Sequence, residues 1–235
     1  FGGSAFTNTI RCAVPTLGCE RLLGTNPIAF GLPSDEELPF LLDMATTTAP
    51  RGKLGVYKRR GLPLPEGWFV DENGGSVTDP AEATSILADP TGTHGGLVFL
   101  GGATEIMSGH KGYGLALLVD MLCGPLAHGP WTRDVFQTQD ANVGHFFSAF
   151  RLDLFGDERD VRRRVGDVLR ALRASSPSEE GGRVYTHGEK ETLRRAKALK
   201  DGVELDDATY SMLEGFASEL GLGTLPATGC EKTDI

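Results

Sequence analysis

The chain has 235 residues, of which 40% are hydrophobic and 23% charged, and its formal net charge at pH 7 is −9. This length allows one large domain or two small ones with a proper core, and the composition is ordinary for a soluble globular protein. No apolar stretch reaches the roughly 18 residues needed to span a membrane. The acidic balance argues against nucleic-acid binding, which would require a basic stripe. We therefore expect a cytoplasmic protein that binds neither membranes nor nucleic acid, in which a local cationic pocket can still hold an anionic small molecule.

The four cysteines are scattered, without a C-x-x-C pair and without a histidine at zinc spacing. This pattern predicts reduced thiols in a cytosolic protein and no structural metal site. The cysteines are Cys12, Cys19, Cys123 and Cys230.

Residues 1–155 are rich in Gly and Pro and carry short apolar runs that predict strands bounded by turns. These runs are SAFTNT, PIAFGLP, PFLLDMA, GWFVD, GLVFL and GHFFSAFRLDLF. One long helix is predicted among them, from about Lys111 to Cys123, and Gly124-Pro125 ends it because proline cannot continue a helix.

From Asp157 onwards the sequence favours helices. DERDVRRRVGDVLRALRAS places apolar side chains at helical spacing on one face, namely Val161, Val165, Val168, Leu169 and Leu172. GRVYTHGEKE predicts a short strand and a tight turn, and ETLRRAKALKDG predicts a helix. GVELDDATYSMLEGFASELG predicts a last helix, with Asp206 or Asp207 as N-cap. The chain is thus predicted to be α/β, strand-rich in residues 1–155 and helix-rich in residues 156–235.

The stretch SGHKGYGLALLVDML, which begins at Ser108, places a lysine among glycines at a predicted helix start. Lys111 in the first turn is unfavourable against the helix dipole, and an anionic ligand would offset this. Alternatively, Lys111 reaches solvent while Gly112 and Gly114 pack closely against a neighbour. Neither common phosphate motif is present, since Leu117 replaces the third glycine of a dinucleotide fingerprint and no Ser or Thr follows Lys111 as in a Walker A loop.

Two further stretches are candidates for ligand binding. In FLLDMATTTAPRGK, Asp43 closes an apolar strand and is followed by small hydroxyl residues suited to a ribose or phosphate, although a helix cap at Asp43 with Thr46–Thr48 in the first turn is the simpler interpretation. In YTHGEKE, a solvated charged turn is the simpler interpretation. No carboxylate pairs in sequence with any of the five histidines, and a lone histidine is more often structural; they are His94, His110, His128, His145 and His187.

Taken together, these stretches resemble the type II malate/L-lactate dehydrogenases, a family distinct from the Rossmann-fold lactate and malate enzymes. The matching motifs stand in the family's order over nearly the whole chain. They are GTNPIAFGLP at Gly24–Pro33, LLDMATT at Leu41–Thr47, RGK at Arg51–Lys53, the GWFVDENG stretch from Gly67 to Pro80, GHKGYGLALLVDML, NVGHFF at Asn142–Phe147 and HGE at His187–Glu189.

The resemblance implies an NAD- or NADP-dependent oxidoreductase that acts on a small 2-hydroxy acid or 2-oxo acid and forms a homodimer. It implies a mostly antiparallel, non-Rossmann cofactor-binding sheet domain at residues 1–155. A helical segment at residues 156–235 would complete the cofactor site and pack on N-terminal helices. The implied cofactor contacts are Thr9, Asp43, Met44, Ala45, Lys111, Gly112, Gly188, Glu189 and Lys190, with Lys111 beside the phosphates or the nicotinamide ribose.

The departures from the family pattern concern catalysis. The family's Ser-His-Gly…Arg and Ser-x-His-Phe/Cys-Gly stretches supply the acid–base histidine and the arginine for the substrate carboxylate, and neither occurs in this sequence. The expectation is that they lie upstream of Phe1, so that the catalytic residues are unknown and this chain alone is inactive. The alternatives are a non-catalytic dinucleotide-binding fragment, a fragment that depends on a partner to fold, and a relative acting on cyclic imines, sulfolactate or ureidoglycolate.

Overall fold

A computed structural model describes residues 1–136 and 141–225 of the chain. The chain forms two compact units, Phe1–Gly188 and a second that begins at Glu189. Within the described residues no helix is long and apolar enough to cross a membrane. The mixed α/β class and the antiparallel sheet predicted from the sequence are confirmed, whereas the predicted division at residue 155 stays a prediction.

The first unit is built on a four-stranded antiparallel sheet with the strand order β3-β2-β1-β6. Its strands are β1 (Gly2–Thr7), β2 (Ile28–Leu32), β3 (Phe40–Met44) and β6 (His145–Phe150). Ser4 pairs with Phe30 on one side and with Ser148 on the other, so β1 is an interior strand. A second, two-stranded sheet pairs β4 (Phe69–Val70) with β5 (Gly96–Leu97).

Within residues 1–136 and 141–225, four α-helices belong to the first unit and two to the second. They are α1 (Arg51–Arg60), α2 (Pro80–Ala88), α3 (Gly109–Cys123) and α4 (Glu158–Arg173), followed by α5 (Glu189–Asp201) and α6 (Asp207–Glu219). Three short 3₁₀ helices span Pro125–Ala127, Thr132–Asp134 and Leu152–Phe155. The main core lies where α1, α2 and α3 pack around the small sheet, and its centre includes Leu54, Phe69, Leu97, Phe99 and Ala116.

The long helix predicted within residues 1–155 is confirmed as α3, but two shorter helices there, α1 and α2, were not predicted. The sequence does not indicate α1, because this helix buries only Leu54 and so lacks an apolar stripe. The sequence does contain a helix-start signal for α2: the carboxylate of Asp79 accepts a hydrogen bond from the Ala81 amide, and Pro80 occupies the first turn.

The strand predicted within GRVYTHGEKE is also wrong, since residues 182–186 form no strand. The amide of Leu41 on the sheet edge donates to the carbonyl of His187 at 3.2 Å, so the end of the segment lies against β3 without forming a strand. The run GHFFSAFRLDLF is a strand only to Phe150, and a 3₁₀ helix follows.

The helices predicted after Asp157 are confirmed. The N-cap of α4 is Asp157, whose carboxylate accepts from the Asp160 amide, and the N-cap of α6 is Asp206, which accepts from the Thr209 amide. On the predicted apolar face of α4, Leu169 is buried, whereas Val168 and Leu172 are exposed. Local capping and periodicity therefore locate these helices, but they overestimate how much of the apolar face is covered.

Candidate functional site

The loop that joins Gly24 to Asn26 contacts the end of β1. The Thr25 amide donates to Thr9 Oγ1 at 3.0 Å, and the Thr9 amide donates to Asn26 Oδ1 at 3.2 Å. A Cβ on Gly24 would lie 2.1 Å from Thr9 Oγ1, so only glycine allows this approach. Thr9, a predicted cofactor contact, is thereby fixed in a reciprocal pair of hydrogen bonds.

The same loop holds the segment that follows β3. The Thr46 amide and hydroxyl both donate to the Thr25 carbonyl at 2.9 Å, and the hydroxyl also lies 3.2 Å from the Asn26 carbonyl. Asp43 is exposed near the end of β3, opposite Ala29. The helix-cap interpretation of Asp43 is wrong, because the next helix begins at Arg51 with Pro50 as its N-cap. Asp43, Met44 and Ala45 thus run directly into the anchored Thr46.

The start of α3 combines close packing with exposed positions. A Cβ on Gly112 would lie 2.3 Å from the Leu100 carbonyl oxygen, and a Cβ on Gly109 would lie 2.0 Å from that of Gly102. Close packing therefore explains Gly112, as the alternative interpretation predicted, and it also explains Gly109. It does not explain Gly114, whose Cβ would meet nothing within 4 Å. Lys111 is exposed, no side chain caps the helix, and the first turn contains no acid.

Two contacts join α3 to the rest of the site. The Leu100 amide donates to the Thr46 carbonyl at 3.0 Å, and Gly112 packs on the backbone of Leu100. The buried amide of Asn26 donates through Nδ2 to the Ala116 carbonyl at 3.0 Å. A continuous chain of contacts therefore links three of the predicted cofactor-binding segments, Thr9, Asp43–Ala45 and Lys111–Gly112.

The fourth predicted segment begins beside β3. The His187 carbonyl accepts from the Leu41 amide at 3.2 Å, and the His187 ring lies 5.8 Å from that of Phe40. A Cβ on Gly188 would lie 2.9 Å from Leu41 Cβ, so this position also requires close approach. His187 and Gly188 therefore lie two to three residues along β3 from Asp43. Glu189, which is buried, and Lys190, which is exposed, begin α5 in the second unit.

A buried polar cluster behind α3 was not identified from the sequence. Asp120 is fully buried, and its carboxylate accepts from the Thr132 amide at 3.0 Å and from the Thr132 hydroxyl at 2.7 Å. Burial raises the pKa of Asp120 above its ordinary value, although the hydrogen bonds from Thr132 oppose the shift. Asn8, also fully buried, donates to the Pro130 carbonyl and accepts from the Gly144 amide. An aspartate inside an otherwise apolar helical run was the available sequence signal.

The histidines and cysteines make local contacts. His94 lies 3.2 Å from Glu72 at the surface, and His145 Nδ1 lies 2.9 Å from Thr7 Oγ1. Burial raises the pKa of the Cys12 thiol to about 11, which keeps it protonated at neutral pH. Within residues 1–136 and 141–225, no three His, Cys, Asp or Glu side chains are arranged to hold a metal ion. Cys230 lies outside the described residues.

The side chains at this site are chemically suited to a dinucleotide. The exposed Lys111 ammonium is suited to a phosphate, and the exposed Asp43 carboxylate can accept hydrogen bonds from ribose hydroxyls. The backbone between them is fixed by buried hydrogen bonds, so these groups are held on a rigid support. Open space at Gly114 leaves the exposed side of the first turns of α3 accessible.

The chain is similar to known dehydrogenases. Residues 2–214 match the model of the family described as malate/L-lactate dehydrogenase. The malate dehydrogenase of Pyrococcus horikoshii is 37% identical over 222 residues, which cover 94% of this chain and 59% of that protein. The L-sulfolactate dehydrogenase of Methanocaldococcus jannaschii is 34% identical over 223 residues, with 94% of this chain and 59% of that protein covered.

A solved structure has the same fold. The crystal structure of malate dehydrogenase from Entamoeba histolytica superposes with a TM-score of 0.90 at 32% identity, covering 96% of this chain and 63% of that chain. The present chain thus spans less than two thirds of the length of each of these relatives. On the match over residues 2–214 and on these identities, the chain belongs to the malate/L-lactate dehydrogenase family.

Proposed function

We propose that the chain provides the NAD(P)-binding part of a dehydrogenase that transfers a hydride between a nicotinamide cofactor and a small 2-hydroxy acid or 2-oxo acid. The observation that carries the proposal is the chain of contacts from Thr9 through Thr25 and Thr46 to Leu100 and Gly112. Side chains far apart in sequence are held on one support by these contacts, and their chemistry matches that of a dinucleotide.

Each residue has a binding role in this proposal. Lys111 neutralises the cofactor's phosphates or contacts its nicotinamide ribose, and Asp43 accepts from ribose hydroxyls. Met44, Ala45, Thr9 and Gly112 shape the surface on which the cofactor lies, and Gly188 continues that surface along β3. The roles of Glu189 and Lys190 rest on the family resemblance alone. When bound, a nicotinamide cofactor supplies the redox chemistry, and the protein positions it and stabilises developing charge.

The proposal assigns no acid–base residue in this chain. None of the five histidines lies in the family's acid–base motif, and neither that motif nor the substrate-binding arginine stretch occurs in the 235 residues. Loss of both groups costs orders of magnitude in rate. We therefore expect turnover of malate, lactate or their oxo acids by this chain alone to be negligible, even where it binds cofactor.

Dinucleotide binding is the direct test. Titration with NADH and with NADPH, followed by fluorescence and thermal shift, is expected to show binding by the parent chain. Lys111→Ala and Asp43→Ala are each expected to weaken binding at least about tenfold, the loss of one charge-assisted contact. Lys58→Ala is the matched control, because Lys58 is also an exposed helical lysine but lies at the end of α1. A folded parent that binds neither dinucleotide contradicts the proposal.

Substrate and assembly are further parts of the proposal. We expect a homodimer, which sedimentation velocity would detect as twice the 25.1 kDa chain mass. A purely dinucleotide-binding role is the alternative, favoured by the missing acid–base motif. Hydride transfer from NADH to oxaloacetate, pyruvate or a cyclic imine, measured as loss of NADH absorbance, is expected to be negligible for this chain alone. Measurable transfer would exclude the purely dinucleotide-binding role and identify the substrate class.

A further inference from the structure

Asn26 is a fully buried polar residue at the centre of the first unit. Its backbone φ is +34°, a left-handed conformation that asparagine tolerates better than most residues. It follows Thr25 in the GTNP stretch, and the proposed function gives Asn26 itself no role. A buried amide requires hydrogen-bond partners, and the partners of Asn26 lie on four different parts of the chain.

The hydrogen bonds of Asn26 go to the elements that carry the proposed cofactor contacts. Its Oδ1 accepts from the Thr9 amide at 3.2 Å. Its backbone carbonyl lies 3.2 Å from the hydroxyl of Thr46, the residue that follows Ala45. Its Nδ2 donates to the Ala116 carbonyl at 3.0 Å, in the helix that carries Lys111. The Thr132 hydroxyl also lies 3.3 Å from Oδ1.

The bond to Ala116 fixes α3 at mid-length. The carbonyl has two lone pairs, so it can accept from Asn26 in addition to its hydrogen bond within the helix. Ala116 lies five residues after Lys111, little more than one turn along α3. Nearer the helix start, Gly109 packs on Gly102, and Gly112 packs on Leu100, which is itself bonded to Thr46. Asn26 therefore contacts three of the four elements that carry predicted cofactor contacts, while its own side chain is shielded from solvent.

We propose that Asn26 is the positioning residue of the dinucleotide site: its buried side-chain amide holds α3 and the end of β1, and its backbone carbonyl holds the segment after β3, so that Lys111, Thr9 and Asp43 meet the same ligand. This inference rests on the proposed function. Asn26 does not touch the cofactor; its effect on binding passes through Ala116, Thr9 and Thr46.

The test compares Asn26→Asp and Asn26→Ala with Arg21→Met. Ala removes the amide donor at every pH. Asp keeps the size and tolerates the backbone conformation, but its ionised carboxylate cannot donate to the Ala116 carbonyl. Arg21 is the matched control because it is equally buried and donates to the carbonyls of Gly95 and Asp89, outside the proposed site.

All three variants are expected to melt at lower temperature than the parent, so binding is measured well below every melting point. The dissociation constant of NADH or NADPH, whichever the parent binds more tightly, is expected to rise at least tenfold in Asn26→Ala and to stay within twofold in Arg21→Met. In Asn26→Asp the loss is expected to be largest at pH 8.5 and to shrink towards pH 6, because a protonated carboxyl regains a donor. A purely structural role would not produce this pH profile.

Hydrogen exchange gives a second measurement that needs no ligand. Exchange is expected to increase at the Thr9 amide and in residues 109–116 together in Asn26→Ala, because the lost side chain bonds Thr9 and Ala116, but not in Arg21→Met. Binding that persists within twofold in Asn26→Ala, or exchange that changes equally in both variants, overturns the positioning role alone. A folded parent that binds neither NADH nor NADPH overturns the proposed function, and this role with it.

Discussion

The two longest helices of the first unit, α3 and α4, are held in place by different kinds of contact. α3 has no side-chain cap, and its buried face is formed by small residues packed on backbone and by the buried Asp120. α4 is capped by Asp157 and carries arginines that pair with acids on its own surface and on the loop at Asp35 and Glu36. A few contacts with the interior thus position α3. Several ion pairs of its arginines, which involve the same acids more than once, help to position α4.

The carboxylates beside the two helices show the same contrast in their pKa values. Burial raises the pKa of Asp120, which lies on α3 itself. The hydrogen bond from Arg170 lowers the pKa of Asp35, and that from Arg173 lowers the pKa of Glu36. Burying a polar group such as the Asp120 carboxylate costs free energy, although its hydrogen bonds fix the local geometry. Surface ion pairs are favourable, but water and salt weaken their attraction.

The largest expected effect is on the glycine face of α3. Gly112→Ala places a Cβ 2.3 Å from the Leu100 carbonyl oxygen and 2.5 Å from its nitrogen, so the helix must shift. We expect a loss of about 3 kcal/mol in the free energy of unfolding, measured by urea denaturation. Gly114→Ala is the control, because its Cβ meets nothing within 4 Å; it should stabilise the chain by about 0.5–1 kcal/mol. Equal effects at the two positions would contradict the packing described for α3.

Next in size is the loss of the hydroxyl that bonds Asp120. Thr132→Val removes the donor at 2.7 Å while keeping the side-chain volume, and should cost about 2 kcal/mol because a buried carboxylate loses a partner. Thr91→Val removes an equivalent hydroxyl–carboxylate bond, to Asp89, at the surface. Its effect on urea denaturation should stay within about 0.5 kcal/mol. If Thr132→Val and Thr91→Val had the same free energy of unfolding, the buried bond would stabilise the chain no more than the surface bond does.

The pH dependence of stability should have opposite signs beside the two helices. Asp120 has a raised pKa in the folded state, so the parent should lose stability relative to Asp120→Asn as pH rises from the ordinary value of 3.8 through the folded-state pKa. Asp35 has a lowered pKa, so the parent should be more stable than Asp35→Asn at neutral pH. That advantage should disappear as pH falls through the folded-state pKa. Urea denaturation across pH measures both slopes, and slopes of the same sign would contradict the contrast.

The smallest effect is expected on the surface of α4. Arg170 bonds Asp35 at 3.0 Å and Asp167 at 2.8 Å, but all three side chains are solvent-accessible. Arg170→Gln should lower the melting temperature less than either interior substitution, and 1 M NaCl should remove most of the difference. A loss that salt does not change would mean that Arg170 acts through packing rather than charge.

The same contrast explains how much could be predicted from the sequence. α4 is encoded locally, by an N-cap aspartate and by helical periodicity, so its location followed from a short window. The start of α3 was predicted at Lys111 rather than Gly109, because it depends on packing of Gly109 and Gly112 against Gly102 and Leu100, and helical periodicity carries no information about such contacts. The residues of the candidate site were predicted from motifs, but the structural roles of Asn26, Thr132 and Asp120 were not. Their importance depends on partners 90, 106 and 12 residues away.

The two edges of the four-stranded sheet are unequal. On the β3 side, the turn at His187–Gly188 lies against the edge and uses the Leu41 amide. On the β6 side, no strand within residues 1–136 and 141–225 pairs with the outer edge, and the six residues HFFSAF include no proline, lysine or acid to discourage pairing. The turn therefore obstructs pairing of a further strand at β3, whereas the sequence of β6 contains no residue that would discourage it.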